Sequence, residues 1–499
     1  MNELLPYLSQ LLRSGISGFS YLLPELVLVL TFLAVIIADL FVPGKRSSLS
    51  FWLCIGGILL SVAVGFIQNL DIARIALFGN SVILDSVSIS FKYILSGATF
   101  LFAIFIRYNR PLQNHTKGVG DLYMLLPAVL IGLNLMSMSA SLLLIYVTIE
   151  MVSIASYLLV GYASENGKQT EAAIKYALFG SICSAVMLYG MSLLYGFTGT
   201  INIGDAAFTN GLFLAASNPG VLLGVTLVLV GVGFKLSFVP LHFWSPDVYE
   251  GAPTPVTAFL STAPKIAGFA ILIRFIEPFH AFAVKQPDAV LFDFKTVLAC
   301  VAIITMIVGN FSAIWQNNVK RMLAYSSIGH TGFALMAVVA FEGSGFRSLI
   351  VYFLVYTIMN MAAFMLVDKI EDHTGSADVR KYKGLGAVLK IESACFVIVL
   401  IALTGLPPTA GFVAKVLVFS SAIEVYNSGG SVLIFWLLIT GALTTVVSLF
   451  YYLKIPLYAY LKAAENSHEP AQKNGDVLSF VIILLTSLLI VLGIWPGIL

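Results

Sequence analysis

The stretch Gly233–Trp244, GFKLSFVPLHFW, places a lysine, a proline and a histidine within an otherwise apolar segment. A charged side chain at the centre of a bilayer costs roughly 2.5 to 3.5 kcal/mol, so Lys235 should face protein or water. Pro240 removes a backbone hydrogen bond, which a spanning helix tolerates only where protein or water satisfies the freed carbonyl groups. The pattern predicts a broken membrane helix with an ionisable group beside the break.

A second stretch of this kind, TGLPPTAGFVAK at Thr404–Lys415, has two prolines before its lysine. Five helices separate the two broken segments, an odd offset that gives the two halves opposite orientations in a membrane. We therefore expect two inverted five-helix repeats, each containing one broken helix. The expected organisation is an N-terminal three-helix segment at 1–120, repeats at 121–277 and 295–461, and a C-terminal helix at 462–499.

The composition indicates an all-α polytopic membrane protein. Hydrophobic residues make up 59% of the 499 residues, charged residues only 10%, and the mean hydropathy is +0.96. A soluble domain could not hide so much apolar surface. Windows of about 19 residues predict about 14 spanning helices.

The expected orientation follows from the loops. An even number of spans places both termini on the same side of the membrane. If the termini are outside, the inner loops hold fifteen Lys and Arg residues and the outer loops hold five. Inner loops are normally the more basic ones, so both termini are predicted on the periplasmic side. The net charge is only +2, and no basic stripe suggests binding to nucleic acid.

Nothing in the sequence indicates redox or hydrolytic chemistry within this chain. Cys54, Cys183, Cys300 and Cys395 fall singly in separate apolar segments, so we interpret them as small core residues rather than metal ligands or a dithiol. Phosphate-binding loops and nucleophile elbows are absent from the sequence. We expect no metal and no cofactor in this chain.

Ionisable side chains at membrane depth are the groups that can pass protons along. A desolvated lysine releases its proton more readily than one in water, and a nearby carboxylate opposes that change. Glu150 would act as such a switch, either for Lys175 on the next helix or for Lys235 two helices on. Histidine titrates near neutral pH, which suits a relay. The candidate proton-translocation residues are Glu150, Lys175, Lys235, His242, Lys265, His330 and Lys415.

Two other lysines have a simpler interpretation. Lys92 and Lys454 lie nearer the ends of their apolar segments. Lysine near a helix end commonly extends its charged group to the membrane interface, and this is one reading of both residues.

Three runs resemble the antiporter-like membrane subunits of respiratory complex I. They are GFKLSFVPLHFWSPDVYEGAPTPVTAFLST at Gly233–Thr262, NVKRMLAYSSIGHTG at Asn318–Gly332 and TGLPPTAGFVAK at Thr404–Lys415. The resemblance extends over nearly the whole chain. VYEGAPTPV, the basic Lys415 and the absence of a long amphipathic extension after the last helix favour the subunit N branch over subunits L and M.

The resemblance implies a proton-translocating membrane-arm subunit of an NADH-quinone oxidoreductase, a translocase of the inner cell membrane. Each repeat would form a proton half-channel. Glu150 would modulate the proton affinity of Lys235, while Lys175, His242, Lys265, His330 and Lys415 would continue a polar axis.

The resemblance also implies where the electron chemistry lies. Quinone, FMN and iron-sulfur clusters would belong to partner subunits. The expected partners are the antiporter-like subunit M, the small subunits A, J and K, and the lipid bilayer.

Two other functions fit the same residues. One is a subunit of a multi-subunit cation/proton antiporter, from a related family. The other is a membrane scaffold whose buried charges only fix how the helices pack.

Overall fold

A computed structural model of the chain describes residues 15, 18–41, 46–68, 74–215, 218–285, 292–429, 431–463 and 477–498. Fourteen helical segments within these residues are long and apolar enough to cross a membrane. The expectation of a polytopic helical protein with about 14 spans is therefore confirmed. The prediction that both termini lie on the periplasmic side concerns residues outside the described ranges.

Eighteen helices are labelled in chain order. Those before the first break are α1 (Leu23–Phe41), α2 (Arg46–Gln68), α3 (Ser86–Tyr108), α4 (Gly120–Met138), α5 (Leu142–Val160), α6 (Gly167–Thr198), α7 (Ala206–Leu214) and α8 (Pro219–Leu236). Those after it are α9 (Trp244–Gly251), α10 (Thr254–Leu260), α11 (Ala263–Lys285), α12 (Phe294–Ile314), α13 (Val319–Val339), α14 (Phe346–Thr374), α15 (Lys390–Thr404), α16 (Ala410–Asn427), α17 (Val432–Pro456) and α18 (Val477–Ile494). Short helical turns lie at Ser20–Leu22, Arg110–Gln113, Phe341–Gly345, Val379–Tyr382, Leu385–Val388, Leu457–Leu461 and Pro496–Ile498.

A small β-hairpin, which the hydropathy pattern did not predict, precedes α3. Strand β1 (Arg74–Leu77) pairs antiparallel with β2 (Val82–Asp85). The chain then enters α3 through Asp85, whose carboxylate accepts a hydrogen bond from the Ser88 backbone N–H at 3.0 Å. This cap satisfies one of the free donors at the start of the helix. We call the end of the bundle that carries this hairpin the hairpin side.

Both predicted helix breaks are confirmed. Helix α8 ends at Leu236, and α9 begins only at Trp244. Helix α15 ends at Thr404, and α16 begins at Ala410. Gly405 has φ of +85°, and a Cβ there would lie 2.5 Å from Lys415 Cδ, so both backbone conformation and space require glycine. That the two halves are inverted repeats stays a prediction.

The described helices share one continuous apolar core, which includes side chains from Leu28 to Leu492. The span Thr254–His280 lies at its centre, since its apolar window is entirely buried, whereas no more than a third of the window is buried in α1 and in α17. The four-part division of the chain stays a prediction. Cys54 and Cys395 are buried, but Cys300 is exposed, so the interpretation of all four cysteines as core residues was wrong for Cys300.

Candidate functional site

Lys235 lies in the last turn of α8, immediately before the first break. Its side chain is buried, and its Nζ donates a hydrogen bond to Ser153 Oγ on α5 at 3.1 Å. A cation in the last turn of a helix interacts favourably with the free carbonyl groups there. Because α8 ends inside the membrane, its last carbonyl groups are free there, and this accounts for the position of Lys235.

Glu150 lies one turn before Ser153 on the same face of α5 and within electrostatic range of Lys235. Its Oε1 is buried and has no hydrogen-bond partner among the described residues. No ion pair within 4.0 Å joins Glu150 to a basic group in the described part of the chain. The carboxylate is therefore near the Lys235 ammonium without being in contact with it.

Lys175 was expected to continue the buried axis, and the structure places it elsewhere. Its side chain is 38% exposed and pairs with Asp247 and with Glu171, both at 2.8 Å. Its ion-pair partners lie on α6 itself and on α9, whereas Glu150 is within electrostatic range of Lys235. Of the two partners considered for Glu150, the geometry favours Lys235.

Asp247 joins three helices around the first break. It accepts from Lys175 Nζ of α6 at 2.8 Å and from Arg321 Nη1 of α13 at 2.6 Å. Arg321 also pairs with Glu250, one turn further along α9, at 3.1 Å. These contacts hold α9 between α6 and α13, and α9 carries Tyr249, which contacts the next buried lysine.

Lys265, on α11, is buried and donates to Ser327 Oγ of α13 at 2.7 Å. Its Nζ lies 5.7 Å from the centre of the Tyr249 ring, within the range of a cation–π interaction. Tyr356 on α14 donates to the same Ser327 oxygen at 3.0 Å. Ser327 therefore joins the ammonium to a buried tyrosine hydroxyl.

His330 lies one turn after Ser327 on α13 and is also buried. Its Nδ1 lies 2.7 Å from the Tyr352 hydroxyl, and its Nε2 lies 3.4 Å from the Tyr452 hydroxyl. A cavity of about 10 Å³ is lined by Lys265, Ser327 and His330, together with Tyr352 and Tyr356. That volume is close to what one water molecule requires.

Lys415 reaches back across the second break. Its Nζ donates to the carbonyl oxygen of Thr404, the last residue of α15, at 2.8 Å. The same Nζ lies 4.6 Å from the centre of the Phe333 ring, which is itself 6.4 Å from the His330 ring. Lys415 itself lies near the start of α16, but its ammonium, like that of Lys235, lies at the carbonyl end of a helix that stops at a break, where a cation is favoured.

The groups follow one another across adjacent helices. A Cβ on Gly268, one turn after Lys265, would lie 3.5 Å from Lys235 Cγ, so the Lys235 side chain packs against α11 one turn away from Lys265. Thr331 of α13 donates to the carbonyl oxygen of Leu236 at 3.1 Å. We call the series Glu150, Lys235, Lys265, His330 and Lys415 the buried row.

His242 lies between α8 and α9, beside the row. It is buried, within electrostatic range of Lys265, and its Nδ1 has no hydrogen-bond partner among the described residues. Its ring packs against Phe243 at 4.6 Å. His242 therefore lies near the row, but its Nδ1 forms no hydrogen bond to a member of the row.

Sequence reasoning missed the neutral groups that hold the row together. Three of them, Ser327, Tyr352 and Tyr356, were visible as polar positions at helical spacing, since Ser327 is three residues before His330 and Tyr352 is four residues before Tyr356. The others depend on which helices are neighbours. The missed residues are Ser153, Tyr249, Ser327, Tyr352, Tyr356, Thr404 and Tyr452.

Within the described ranges, no group of three or more His, Cys, Asp or Glu residues is placed to hold a metal ion. The buried row consists instead of titratable groups linked by hydroxyls. Such an arrangement can bind and pass protons, since hydroxyl groups both donate and accept hydrogen bonds.

Known proteins share both the sequence and the fold. Residues 139–444 match the family described as NADH:quinone oxidoreductase/Mrp antiporter, transmembrane. The chain is 40% identical over 492 residues to NADH-quinone oxidoreductase subunit N 2 of Chloroherpeton thalassium, covering 97% of this chain and 93% of that protein. The chain belongs to the subunit N family of NADH-quinone oxidoreductase. Another subunit N, from Chlorobium chlorochromatii, is 38% identical over 483 residues, covering 96% of this chain and 92% of that protein.

The fold agrees with the subunit N assignment. A chain of respiratory complex I from Thermus thermophilus, solved with bound aureothin, superimposes with a TM-score of 0.77 at 27% identity. The match covers 95% of this chain and 98% of that chain. This subunit N homologue is therefore a membrane subunit of a translocase complex, as the resemblance implied.

Proposed function

We propose that this chain translocates protons in the membrane arm of an NADH-quinone oxidoreductase, and that protons move along the buried row. One observation carries the proposal. Lys235, Lys265, His330 and Lys415 are each between 2% and 6% exposed, and the three lysines are held by neutral oxygens of Ser153, Ser327 and Thr404.

Neutral partners matter because they do not fix the charge state of a lysine. A lysine paired with a carboxylate is held in its charged form, whereas one bonded to a hydroxyl can lose its proton without leaving a bare buried charge. Arg274 shows the opposite design, since it is buried against the Asp85 carboxylate at 2.5 Å. We infer that the groups of the buried row change their charge during function, whereas Arg274 and Asp85 both stay charged.

Hydroxyl groups would carry the proton between the ionisable groups. Ser327 contacts Lys265 and Tyr356, and both ring nitrogens of His330 face tyrosine hydroxyls. A proton leaving the Lys265 ammonium could pass through Ser327 or a water in the adjoining cavity to His330. Lys415 is within electrostatic range of His330, and water would have to carry the proton between them, because the Phe333 ring beside both cannot.

Glu150 would set the charge of the first lysine. Two unit charges 4 Å apart interact by about 4 kcal/mol at the effective dielectric of a protein. Glu150 is close to Lys235 but not in contact with it. If Glu150 moved slightly closer to Lys235, the Lys235 ammonium would be stabilised. If Glu150 moved slightly away, Lys235 would release its proton more readily.

Lys175 has a different role in this proposal. Because it pairs with Asp247 and Glu171, we assign it to holding α9 in place rather than to carrying protons. His242 remains a candidate relay group beside Lys265.

The reductase chemistry is proposed to occur in partner subunits. Quinone, FMN and iron-sulfur clusters would be bound there, and the partners would include subunit M and the small subunits A, J and K. The proposed location is the inner cell membrane with both termini on the periplasmic side, and the inverted repeats would form two proton half-channels.

Replacing Glu150 with glutamine tests the proposal against a purely structural role. We expect Glu150→Gln to leave the complex assembled but to lower coupled pumping by roughly tenfold or more, and Glu150→Asp to retain most of it. Proton uptake and subunit content would be measured in the same inverted membrane vesicles. Loss of the subunit from the complex with glutamine, and not with aspartate, would instead indicate a scaffold.

Transport by the isolated chain distinguishes the antiporter alternative. Proteoliposomes that contain this chain without electron-transfer subunits should show no exchange of sodium or potassium for protons. Sustained exchange under a pH gradient would favour an antiporter subunit.

A further inference from the structure

An apolar groove lies on the surface of the bundle between α15 and the end of α17. Its volume is about 660 Å³, and Ala394, Val397 and Ile398 of α15 line one side of it. Leu453, Leu457 and Tyr460 line the other side, and each of them is between 42% and 49% exposed. Apart from the Tyr460 hydroxyl, the lining side chains are apolar, so the groove suits a hydrocarbon chain. We call it the α15–α17 groove.

One end of this groove lies at the end of the bundle opposite the hairpin side. Helix α3 leads away from the hairpin, and Asn109, which follows it, donates to Asp368 near the end of α14 at 2.7 Å. The connection from α14 to α15 therefore lies opposite the hairpin. Gly386 of this connection packs directly against the Tyr460 ring of the groove. The groove thus opens at the membrane surface on that side.

Two lysines lie at this end of the groove. Lys390 is the first residue of α15 and lies one turn before Ala394, on the same face of the helix. Lys462 follows Leu461, the last residue along the chain that lines the groove. Its Nζ lies 3.9 Å from the centre of the Tyr458 ring. Both lysines are exposed, so their ammonium groups can meet a ligand at the membrane surface.

The carboxylates near this end of the groove are occupied elsewhere. Glu392, the acidic residue of α15, accepts a hydrogen bond from Ser479 of α18 at 3.1 Å. Asp378 pairs with Arg380 at 2.6 Å. Within the ranges that the structure describes, neither Lys390 nor Lys462 forms an ion pair with a carboxylate. Their positive charges are therefore available to an anion.

An apolar groove that ends at two cations is complementary to an anionic phospholipid. Basic residues beside spanning helices at a membrane surface recognise anionic head groups. Tyrosine is common at the same level of the membrane, and Tyr458 and Tyr460 lie at this end of the groove. An apolar helix of a partner subunit could also fill the groove, but it would leave both lysines without an anion. The charges therefore favour the lipid.

We propose that the α15–α17 groove binds an anionic phospholipid, with an acyl chain against Val397 and Leu457 and the phosphate within reach of Lys390 and Lys462. The site lies at the opposite end of α15 from Thr404, so it is separate from the buried row. Its occupancy does not depend on whether the row carries protons.

Photo-crosslinking in the purified, delipidated complex tests the site. The probes are phosphatidylglycerol and phosphatidylcholine that carry the same diazirine-labelled acyl chain. We expect phosphatidylglycerol to label the peptides that contain Val397 and Leu457 more strongly than phosphatidylcholine does. The double variant Lys390→Gln/Lys462→Gln should lower labelling by phosphatidylglycerol roughly tenfold, the effect of removing two basic residues from a head-group site.

Lys454→Gln is the matched control, because Lys454 also lies near the end of α17 but donates to the carbonyl oxygen of Gln316. It should be labelled like the unaltered protein. Ala394→Trp fills the groove without changing its charge, and we expect it to lower labelling by phosphatidylglycerol as well.

Four results would overturn the proposal. Equal labelling by the two lipids would indicate a surface that does not select its lipid. Unchanged labelling of the double variant would exclude the lysines, and unchanged labelling of Ala394→Trp would exclude the groove. Failure of both lipids to label these peptides would indicate that a partner helix covers the groove. Since labelling is measured rather than pumping, each of these results is distinct from a failure of the proposed proton translocation.

Discussion

Replacing Lys265 with methionine is expected to lower coupled proton pumping by roughly 100-fold, the scale of losing one general acid–base group. Methionine nearly preserves the length of the side chain but cannot hold a proton. Lys265 lies between two parts of the row, because Lys235 packs against α11 one turn away from it and its own Nζ contacts Ser327. The measurement is the initial rate of pH-gradient formation in inverted membrane vesicles after addition of NADH.

Lys454→Met provides the matched control for this experiment. Lys454 is half-buried and donates to the carbonyl oxygen of Gln316 at 2.7 Å, away from the row. We expect this variant to pump at close to the normal rate. Equal pumping by both variants, at equal subunit content, would exclude Lys265 from the proton path.

Replacing Asp85 with asparagine is expected to give the largest loss of stability, about 3 to 5 kcal/mol, which is typical of breaking a buried ion pair. Both carboxylate oxygens of Asp85 accept from Arg274, at 2.5 and 2.7 Å, and Arg274 is buried. Asparagine is also a good helix cap, so the start of α3 is retained. The measurement is the melting temperature of the subunit in the detergent-solubilised complex.

Asp378→Asn is the control for the Asp85 experiment. Asp378 also pairs with an arginine, Arg380, at 2.6 Å, but that arginine is well exposed. Exposed pairs contribute little to stability. A melting temperature lowered no more by Asp85→Asn than by Asp378→Asn would contradict the structural role of the buried pair.

The same pair makes stability depend on pH. Burial alone would raise the pKa of Asp85, but the hydrogen bonds and charge of Arg274, with the Ser88 N–H, outweigh burial and hold it below its ordinary value. The stabilisation is therefore fully present above the unfolded-state pKa, near 3.9, and is lost as the pH falls through the lower folded-state pKa. Asp85→Asn should remove this acid-dependent loss.

The sequence predicted the two breaks and most of the buried row because both follow from local chemistry. A proline removes a helical hydrogen bond, and the prolines that lie near glycine and lysine mark both breaks, although Pro127 and Pro278 lie inside continuous helices. A lysine deep in an apolar segment must face protein or water. Lys235, Lys265 and Lys415 are accordingly buried. Which neutral oxygens would hold them could not be predicted, because this depends on which of the spanning helices are neighbours.

Lys175 and Lys92 show the limit of judging depth from sequence alone. Lys175 lies in a long apolar segment, yet α6 begins at Gly167, and the lysine emerges beside Asp247 of the first break. Lys92 lies near the start of α3, yet the packing of α1 covers it and supplies Glu25. In both cases a partner distant in sequence decides the environment of the lysine.

The number of protons moved per electron tests proton transfer along the buried row most directly. It would be measured in proteoliposomes containing the purified complex, with Lys235→Met compared with the unaltered protein at equal subunit content. We expect the proton-to-electron ratio to fall in the variant, because Lys235 joins Glu150 to the rest of the row. An unchanged ratio would contradict proton transfer through these side chains.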